Sequence, residues 1–264
     1  MVFFSDLDRT LIYSKKFIKD EEHIISEYKN AKPITYMAKN TYDLLKYISK
    51  SIEFVPVTTR TVEQYRRIEI LNDFNFKYAI TSNGGNLIID GVIDTNYRAM
   101  IEEKLKSVSS LNEILKDLLD VSKMPWCENI KIADNSFIYM LVDSLNADYS
   151  LIESKEASLL KKGYKTIIHG RKVYFIPKCI SKGDAINYIK KLLKKDFVIS
   201  SGDSKMDEEM IFASNYFIVP RHGEIAKSYI ENQKNKDNIL VTKDKYLKSS
   251  YEIVNTVNKI FKIS

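Results

Sequence analysis

The feature that most constrains the fold is the start of the chain, where the apolar run Val2-Phe3-Phe4 is followed by the two carboxylates Asp6 and Asp8. An apolar run without polar alternation predicts a short strand that is buried on both faces. Carboxylates at the end of such a strand are costly to desolvate unless a cation compensates their charge. The stretch therefore indicates an oxygen-lined metal site on an α/β sheet. A polar turn closing the strand is the simpler alternative.

Strand-like and helix-like segments alternate through the first third of the chain. The third apolar strand is predicted over Tyr78–Thr81 and leads into Ser82-Asn83-Gly84-Gly85. Strands that alternate with helices predict a parallel sheet, and we expect Tyr78–Thr81 to belong to it. Between the first two strands, the polar stretch 15–39 contains a predicted hairpin that turns at Asn30-Ala31-Lys32.

The pattern changes in the middle of the chain and then returns. Residues 86–176 show helix, two strands, helix and two strands, with one long amphipathic helix predicted over Ala99–Leu119. After Pro177 helices and strands alternate again, up to a predicted final helix. We therefore predict a Rossmann-like parallel α/β core formed by residues 1–85 and 177–264, with an inserted α+β domain over residues 86–176.

Composition excludes several classes of protein. The 264 residues are 44% hydrophobic, with only 8 Gly and 5 Pro, which is typical of a folded globular chain rather than a disordered one. The net charge of +6 is spread along helix faces, so we expect phosphorylated small molecules as partners rather than nucleic acid. No apolar stretch is long enough for a membrane helix, and Cys127 and Cys179 form no metal-binding pattern, so we expect a cytoplasmic protein in a reducing compartment.

Polar residues follow each predicted strand of the core. Thr58 ends the second strand, and Gly202-Asp203-Ser204 with Asp207 follows a later one. Because ligand sites of open α/β sheets lie beyond the carboxyl ends of the strands, these groups and the first two acids are expected to converge. Four carboxylates in one crevice favour a bound Mg²⁺. Asp207 alone could equally be a helix N-cap.

Lys182 stands at the start of a predicted helix, after Ser181 and before Asp184. A lysine in the first turn opposes the helix dipole, and a locally unfavourable residue at an element end is where a functional side chain is expected. Taken alone, an exposed lysine tolerated at small cost explains the position as well. With the acid clusters beside it, the functional interpretation gains weight.

Taken together, these motifs resemble the four motifs of the haloacid-dehalogenase-like hydrolases. The residues that carry the resemblance are Asp6-x-Asp8-x-Thr10, Thr58, Lys182-Gly183-Asp184 and Gly202-Asp203-Ser204-x-x-Asp207. The insertion point after Ser82-Asn83-Gly84-Gly85 is similar to that of the subgroup with a C2B-type cap, which includes Cof-type, sucrose-phosphate and mannosyl-phosphoglycerate phosphatases. Two features depart from the family pattern. The second motif reads Thr58-Thr59-Arg60 instead of Thr-Gly-Arg, and the flap, residues 15–39, is long.

The resemblance implies a role for each motif. Asp6 would attack phosphorus and form an aspartyl-phosphate, and Asp8 would act as acid and then base. Mg²⁺ would be held by Asp6, the main-chain carbonyl of Asp8 and Asp203, with Asp207 orienting the metal site. The implied substrate contacts are Thr58, Thr59, Arg60, Asn83, Gly84, Lys182 and Ser204, of which Thr58 and Lys182 would hold the phosphate oxygens.

The function predicted from the sequence is that of a Mg²⁺-dependent phosphatase acting on a small phosphorylated metabolite, with a sugar phosphate as the leading substrate class. A phosphotransferase or phosphomutase with the same nucleophile is the first alternative. A nucleic-acid end phosphatase and a non-catalytic binding module are the others, and the absence of a concentrated basic stripe weakens the nucleic-acid alternative. The three histidines, His23, His169 and His222, are predicted to lie at the surface. Arg9 receives no role, and the oligomeric state is not predicted.

Overall fold

Two compact units make up the computed structural model, which describes residues 1–74, 76–231 and 237–263. The first unit contains the chain up to Ile93 and again from Lys182 onward, and the second contains Asp94–Ser181. No helix in these described ranges combines the length and the apolar character that crossing a membrane requires.

The N-terminal part of the first unit is rich in short strands. Its elements are β1 (Val2–Ser5), β2 (Tyr13–Ser14), β3 (His23–Lys29), β4 (Lys32–Ala38), α1 (Lys39–Ile48), β5 (Glu53–Pro56), α2 (Val62–Arg66), β6 (Tyr78–Thr81), β7 (Asn86–Ile89) and β8 (Val92–Ile93). The second unit consists of α3 (Thr95–Leu105), α4 (Leu111–Asp117), α5 (Leu119–Ser122), β9 (Cys127–Ala133), β10 (Phe137–Val142), α6 (Tyr149–Lys161), β11 (Tyr164–His169) and β12 (Lys172–Pro177). The chain then returns to the first unit with α7 (Lys182–Leu193), β13 (Val198–Ser201), α8 (Glu208–Ala213), β14 (Tyr216–Val219), α9 (Glu224–Glu231), β15 (Ile239–Val241) and α10 (Leu247–Phe261).

A five-stranded parallel sheet with the order β15-β14-β13-β1-β5 forms the core of the first unit. In β1, Phe3 lies opposite Ile199 on one side and Phe54 on the other, and all three side chains are fully buried. Such complete burial explains why the first strand is apolar without alternation. The predicted α/β class with a parallel sheet is confirmed.

The strand β6 departs from the prediction. It forms a separate antiparallel sheet with β7 and β8 and is joined to the end of β5 by an isolated parallel bridge between Val57 and Ile80. Pro56 precedes this bridge and has no N–H to donate to a further strand, which limits the pairing. The prediction that Tyr78–Thr81 is a full strand of the parallel sheet is therefore wrong.

The pairing of β6 with β7 also places residues 86–93 in the first unit. Asn86 lies opposite Thr81, and Ile88 lies opposite Ile93. The second unit accordingly covers Asp94–Ser181, whereas the predicted inserted domain covers 86–176. The difference arises because the hairpin after Gly85 completes a sheet of the first unit.

The flap, residues 15–39, contains the β3–β4 hairpin, which also pairs with β2. The hairpin turns at Asn30 and Ala31, both in the left-handed region with φ of 51° and 59°. The register of β3 shifts on both sides of Glu27. Because a bulge interrupts the alternation of side chains, both Ser26 and Glu27 point inward and are buried.

The second unit consists of an antiparallel sheet, β11-β12-β10-β9, packed against helices. Ile138 and Phe175 of the sheet share a buried apolar cluster with Ile114 and Ile152 of the helices. The single helix predicted over Ala99–Leu119 is wrong, because α3 ends at Leu105 and α4 begins only after Ser110. Ser110 caps α4 through a reciprocal pair of hydrogen bonds with Glu113, and the serines before it favour such a cap over a continuous helix.

Candidate active site

Lys182 and two carboxylates form a buried cluster at the carboxyl end of the parallel sheet. The Lys182 Nζ atom donates to Asp6 Oδ1 at 2.8 Å and to Asp207 Oδ1 at 2.6 Å. All three residues are at most 6% exposed. Asp6 follows β1, Lys182 is the first residue of α7, and Asp207 precedes α8. The alternative that Lys182 is an exposed lysine is therefore wrong.

Close packing of α7 against α8 lets Lys182 reach the sheet. A Cβ atom added at Gly183 would lie 2.5 Å from the main-chain oxygen of Glu209, so only glycine permits this approach. Gly202 likewise permits a close approach, because a Cβ atom added there would lie 2.5 Å from the Asp207 side chain. The glycines of the third and fourth motifs thus bring the charged groups together.

Asp207 is held firmly by the loop that follows β13. Its Oδ2 atom accepts hydrogen bonds from the Asp203 N–H at 3.1 Å, from the Ser204 N–H at 3.0 Å and from Ser204 Oγ at 3.0 Å. Its Oδ1 atom accepts from Lys182. Asp207 therefore fixes both the loop and the ammonium group, and Ser204 is committed to that same network.

The electrostatics of this cluster favour an additional cation. Burial raises the pKa of Asp6 well above the usual aspartate range, and the carboxylates of Asp207 and Asp203 raise it further, although the Lys182 ammonium opposes them. Burial by itself would lower the pKa of Lys182, but Asp207 and Asp6 outweigh it and raise that pKa. Lys182 therefore stays charged, but its single positive charge does not neutralise the carboxylates of Asp6, Asp203 and Asp207.

The donor set suits a hard divalent cation. Oxygen atoms of Asp6, Asp203 and Asp207 lie within 4.8 Å of one another, and all three residues are buried. Carboxylate oxygens are the ligands that Mg²⁺ prefers, and its charge would relieve the repulsion that raises the pKa of Asp6. The residues present therefore fit the predicted metal.

The side chain of Asp8 lies outside this cluster. Its carboxylate receives a bidentate pair of bonds from Arg60, with Nε–Oδ2 at 2.6 Å and Nη2–Oδ1 at 2.8 Å. The third guanidinium nitrogen of Arg60, Nη1, donates to Glu27 Oε2 at 2.7 Å. The structure thus places Arg60, a predicted substrate contact, against two carboxylates, one from β3 of the flap.

Glu27 was not among the residues predicted for the site. It is fully buried and also accepts from Arg67 Nε at 3.1 Å. The alternation of side chains along a strand does not predict that Glu27 points inward, because the bulge in β3 changes which face of the strand each residue occupies. The remaining signal in the sequence is an acidic residue in a predicted hairpin strand that also carries Ile24 and Ile25.

Thr58, Thr59 and Asn83 form a second group of predicted contacts. Thr58 is 1% exposed, and its Oγ1 atom accepts from the Arg60 N–H at 3.1 Å, so the same hydroxyl can still donate. Thr59 Oγ1 donates to Asn83 Oδ1 at 3.3 Å, and the Asn83 N–H donates to the Thr58 carbonyl at 3.0 Å. The loop after β5 is therefore tied to the loop after β6.

The loop after β6 has an unusual backbone. Ser82, Asn83 and Gly84 are consecutive residues with φ of 54°, 58° and 99°. Asn83 is fully buried, and within the described residues its Nδ2 atom has no hydrogen-bond acceptor. Left-handed residues and an unsatisfied buried amide are features that concentrate at binding sites.

Arg9 and His222 stabilise the loop that carries the two acids. Arg9 has a left-handed φ of 61°, and its Nε atom lies 3.4 Å from Asp203 Oδ2. The His222 Nε2 atom lies 3.0 Å from the Arg9 carbonyl, and Nδ1 accepts from the Tyr246 N–H at 3.0 Å, which fixes the neutral tautomer. His222 is 7% exposed, so its predicted surface position is wrong.

Comparisons with known proteins identify the family and the fold. The family model described as sucrose-6F-phosphate phosphohydrolase matches residues 1–255. The fold is similar to that of the sucrose-phosphatase from Synechocystis sp. PCC6803, solved with sucrose and phosphate, with a TM-score of 0.71 and 14% identity over 100% of this chain and 99% of that chain.

Two further solved structures share the fold. The C-terminal domain of trehalose-6-phosphate phosphatase from C. albicans is 14% identical, with a TM-score of 0.62 over 98% of this chain and 91% of that one. A haloacid dehalogenase-like hydrolase from Bacillus subtilis is 15% identical, with a TM-score of 0.57 over 100% and 92% of the two chains. A comparison with curated protein sequences finds no significant match.

The match to the family model covers nearly the whole chain, and the motifs that it spans include every charged residue of the buried cluster. The similar structures show that the fold is that of the haloacid-dehalogenase-like hydrolases, as the resemblance implied. The chain therefore belongs to the sucrose-6F-phosphate phosphohydrolase family and is a phosphoric monoester hydrolase of the haloacid-dehalogenase-like superfamily.

Proposed function

We propose that this enzyme hydrolyses the phosphate monoester of a sugar phosphate in a Mg²⁺-dependent reaction, with sucrose 6-phosphate as the first substrate to test. The observation that carries the proposal is the buried cluster in which Lys182 bridges Asp6 and Asp207. The family description and the sucrose and phosphate bound in the similar Synechocystis enzyme support the choice of substrate.

Asp6 is the proposed nucleophile. Its carboxylate oxygen would form a bond to phosphorus while the ester P–O bond breaks, so that the sugar leaves as an alcohol and an aspartyl-phosphate remains. Thr10 Oγ1, 3.3 Å from Asp6 Oδ2, and Lys182, bonded to Oδ1, hold the carboxylate in one orientation. Such a fixed orientation supplies much of the acceleration of an in-line displacement.

Asp8 is the proposed acid and base. Its carboxyl group would give a proton to the leaving alkoxide in the first step. In the second step it would take a proton from the water that attacks phosphorus as the bond to Asp6 breaks. Its side chain is 48% exposed and lies outside the buried carboxylate cluster, which suits a group that exchanges protons with substrate and water.

The remaining polar groups would bind the phosphate and the metal. Lys182 and the Thr58 hydroxyl would hold phosphate oxygens, where an ammonium group and a preorganised donor stabilise developing charge. Asp6, the Asp8 main-chain carbonyl and Asp203 would hold Mg²⁺, which supplies charge neutralisation when bound. Since both Asp207 oxygens already accept from protein donors, Asp207 would orient this site through water and through Lys182.

The sugar would be selected by groups outside the charged cluster. Asn83 and Gly84, in the left-handed loop after β6, are the proposed contacts from the first unit, and the buried Asn83 amide supports this assignment. Thr59 is bonded to Asn83 and would support that loop. We assign the role of a specificity cap to the second unit, Asp94–Ser181, because its position in the chain resembles that of a C2B-type cap.

The test is phosphate release from p-nitrophenyl phosphate, sucrose 6-phosphate, trehalose 6-phosphate and glucose 6-phosphate, each with Mg²⁺ and with a chelator. We expect Mg²⁺-dependent release, fastest with one of the sugar phosphates. Trapping of radioactive phosphate on the wild-type protein but not on D6N would identify the nucleophile. A folded protein that releases phosphate from none of these esters contradicts the proposal, and transfer to a second sugar instead of water would favour a phosphomutase.

A further inference from the structure

A second buried ion network lies beside the cluster of Asp6 and Lys182. At its centre is Glu27, a fully buried carboxylate on β3 of the flap. Its Oε2 atom accepts from Arg60 Nη1 at 2.7 Å, and its Oε1 atom accepts from Arg67 Nε at 3.1 Å. A buried carboxylate is tolerated only when it is paired and hydrogen-bonded, so Glu27 and the two arginines must be considered together.

Arg60 is held from two sides. Two of its guanidinium nitrogens form the bidentate pair with the Asp8 carboxylate, and the third donates to Glu27. Its side chain is only 13% exposed. A planar guanidinium with each nitrogen engaged by a carboxylate has little freedom to rotate, so the orientation of Asp8 is coupled to the position of Glu27.

Each arginine of this network pairs with Glu27 and with one further carboxylate. Arg60 also pairs with Asp8, and Arg67 Nη1 lies 3.6 Å from Oε1 of the exposed Glu63. If Glu27 were neutral, Arg60 would keep the pair with Asp8 but lose the partner that fixes its position from the other side. The position of the guanidinium therefore depends on the flap carboxylate.

We propose that Glu27 and Arg60 are positioning residues for the acid–base group Asp8. Glu27 fixes the guanidinium of Arg60, and Arg60 fixes the direction in which the Asp8 carboxyl group points. This inference rests on the proposed function, in which Asp8 gives a proton to the leaving alkoxide and later removes one from water. Displacement of such a group by about 1 Å lowers the rate on the order of 100-fold.

The inference separates substrates by their leaving groups. A sugar alkoxide is a poor leaving group and needs the proton from Asp8 as the ester bond breaks. The p-nitrophenolate ion leaves without protonation. Loss of the positioning network should therefore lower kcat/KM, which reports the step in which the ester bond breaks, much more for sucrose 6-phosphate than for p-nitrophenyl phosphate. Hydrolysis of the aspartyl-phosphate also uses Asp8 and is common to both substrates, so kcat does not distinguish them. A damaged fold would lower kcat/KM equally for both.

The experiment measures kcat and KM for both substrates with wild-type protein, R60M, R60K and E27Q. Arg66 is the last residue of α2, the helix that follows Arg60, and its Nη2 atom donates to the Gly91 carbonyl, so R66M is the matched control. For R60M we expect kcat/KM with sucrose 6-phosphate to fall on the order of 100-fold and kcat/KM with p-nitrophenyl phosphate less than about fivefold. R60K keeps the charge but not the bidentate geometry, and kcat/KM of R60K and of E27Q with the sugar phosphate should fall roughly tenfold. R66M should match wild type.

Each contrary outcome has a distinct meaning. Equal losses of kcat/KM for both substrates overturn the inference, whether they arise from a lower kcat or from a higher KM that would make Arg60 a direct phosphate ligand. Unchanged rates in R60M and R60K also overturn the inference. Circular dichroism and thermal unfolding identify variants that fail to fold. If E27Q fails to fold, the comparison of R60K with wild type decides the test. Wild-type protein that hydrolyses neither the panel of sugar phosphates nor p-nitrophenyl phosphate overturns the proposed function, and this inference with it.

Discussion

The Lys182 ammonium lies 2.8 Å from the Asp6 carboxylate, although 176 residues separate the two along the chain. The sheet brings them together, because β1 and the start of α7 meet at the carboxyl end of the parallel strands. Since both residues are buried, Asp6 depends on Lys182 for compensation of its charge, whereas Lys182 also has Asp207 as a partner.

Replacement of Lys182 by methionine should impair both activity and stability. The variant K182M keeps most of the side-chain volume but leaves Asp6 and Asp207 buried without their ammonium partner. Breaking a buried ion pair in this way costs about 3–5 kcal/mol of stability. Loss of a charge that stabilises the transition state lowers kcat roughly 100- to 1,000-fold. Urea unfolding and phosphate release measure the two effects.

Lys191 is the matched control, because it is an exposed lysine on the same helix. K191M should leave stability within about 0.5 kcal/mol of wild type. If K182M is as stable and as active as K191M, the buried cluster does not have the role assigned to it.

Replacement of Asp6 by asparagine should separate activity from stability. The raised pKa of Asp6 means that its charged form is disfavoured in the folded state, so ionisation of Asp6 lowers stability as pH rises above the usual aspartate range. In a chelator at pH 7.5, D6N should therefore unfold at a higher temperature than wild type. Its turnover should fall by about three orders of magnitude. The exposed Asp196 offers the control variant D196N, which should change neither property. A D6N protein that turns over normally would mean that another group is the nucleophile.

Mg²⁺ should stabilise the folded protein through the same carboxylates. A ligand that binds only the folded state at about 100 times its dissociation constant adds about 2.7 kcal/mol. We expect the thermal midpoint of wild type to rise on addition of Mg²⁺, and the rise to disappear in D203N, because Asp203 lies within the cluster of carboxylate oxygens. An equal rise in wild type and D203N would place the cation elsewhere.

Much of the core could be predicted from local sequence patterns, because its features are local. The apolar run of β1, the acids that follow it and the glycines that permit close approach, Gly183 and Gly202, are recognisable without knowledge of the fold. Their convergence follows from a general property of parallel sheets. The structure accordingly places Asp6, Lys182, Asp203 and Asp207 together.

The parts that could not be predicted depend on pairing between distant segments or on small irregularities. Glu27 points inward only because of a bulge in β3. The break before α4 depends on a cap at Ser110 that competes with a continuous helical pattern. His222 is buried because the segment after β14 packs against the loop of Arg9, a contact between residues 213 positions apart. No periodicity in the sequence reports such contacts.

His222 predicts a specific pH dependence of stability. Burial, with smaller contributions from Arg9 and Lys245, lowers its pKa from 6.5 to about 4, while its bond to the Arg9 carbonyl opposes the shift. Between these values the unfolded chain binds a proton that the folded protein does not, so stability falls as pH drops from about 6.5 to about 4. The loss has an upper limit of about 3 kcal/mol.

The variant H222Q keeps an N–H donor for the Arg9 carbonyl but does not titrate in this range. Urea unfolding of wild type and H222Q at pH 7.0 and pH 4.5 should show a smaller loss of stability in the variant. An identical loss in both proteins would show that other groups cause the pH dependence.

Alanine at Gly183 should misplace Lys182. The added Cβ would lie 2.5 Å from the main-chain oxygen of Glu209, so α7 must move away from α8 and carry the first residue of α7 with it. Overpacking of this kind costs about 1–3 kcal/mol, and a shift of about 1 Å in a catalytic group costs on the order of 100-fold in rate. Gly170, in the β11–β12 turn, supplies the control, because a Cβ there meets nothing within 4 Å and G170A suffers only the strain of its φ of 59°. Unfolding free energy and kcat should both fall further in G183A than in G170A, and equal values would show that the α7–α8 contact adapts to the added methyl group.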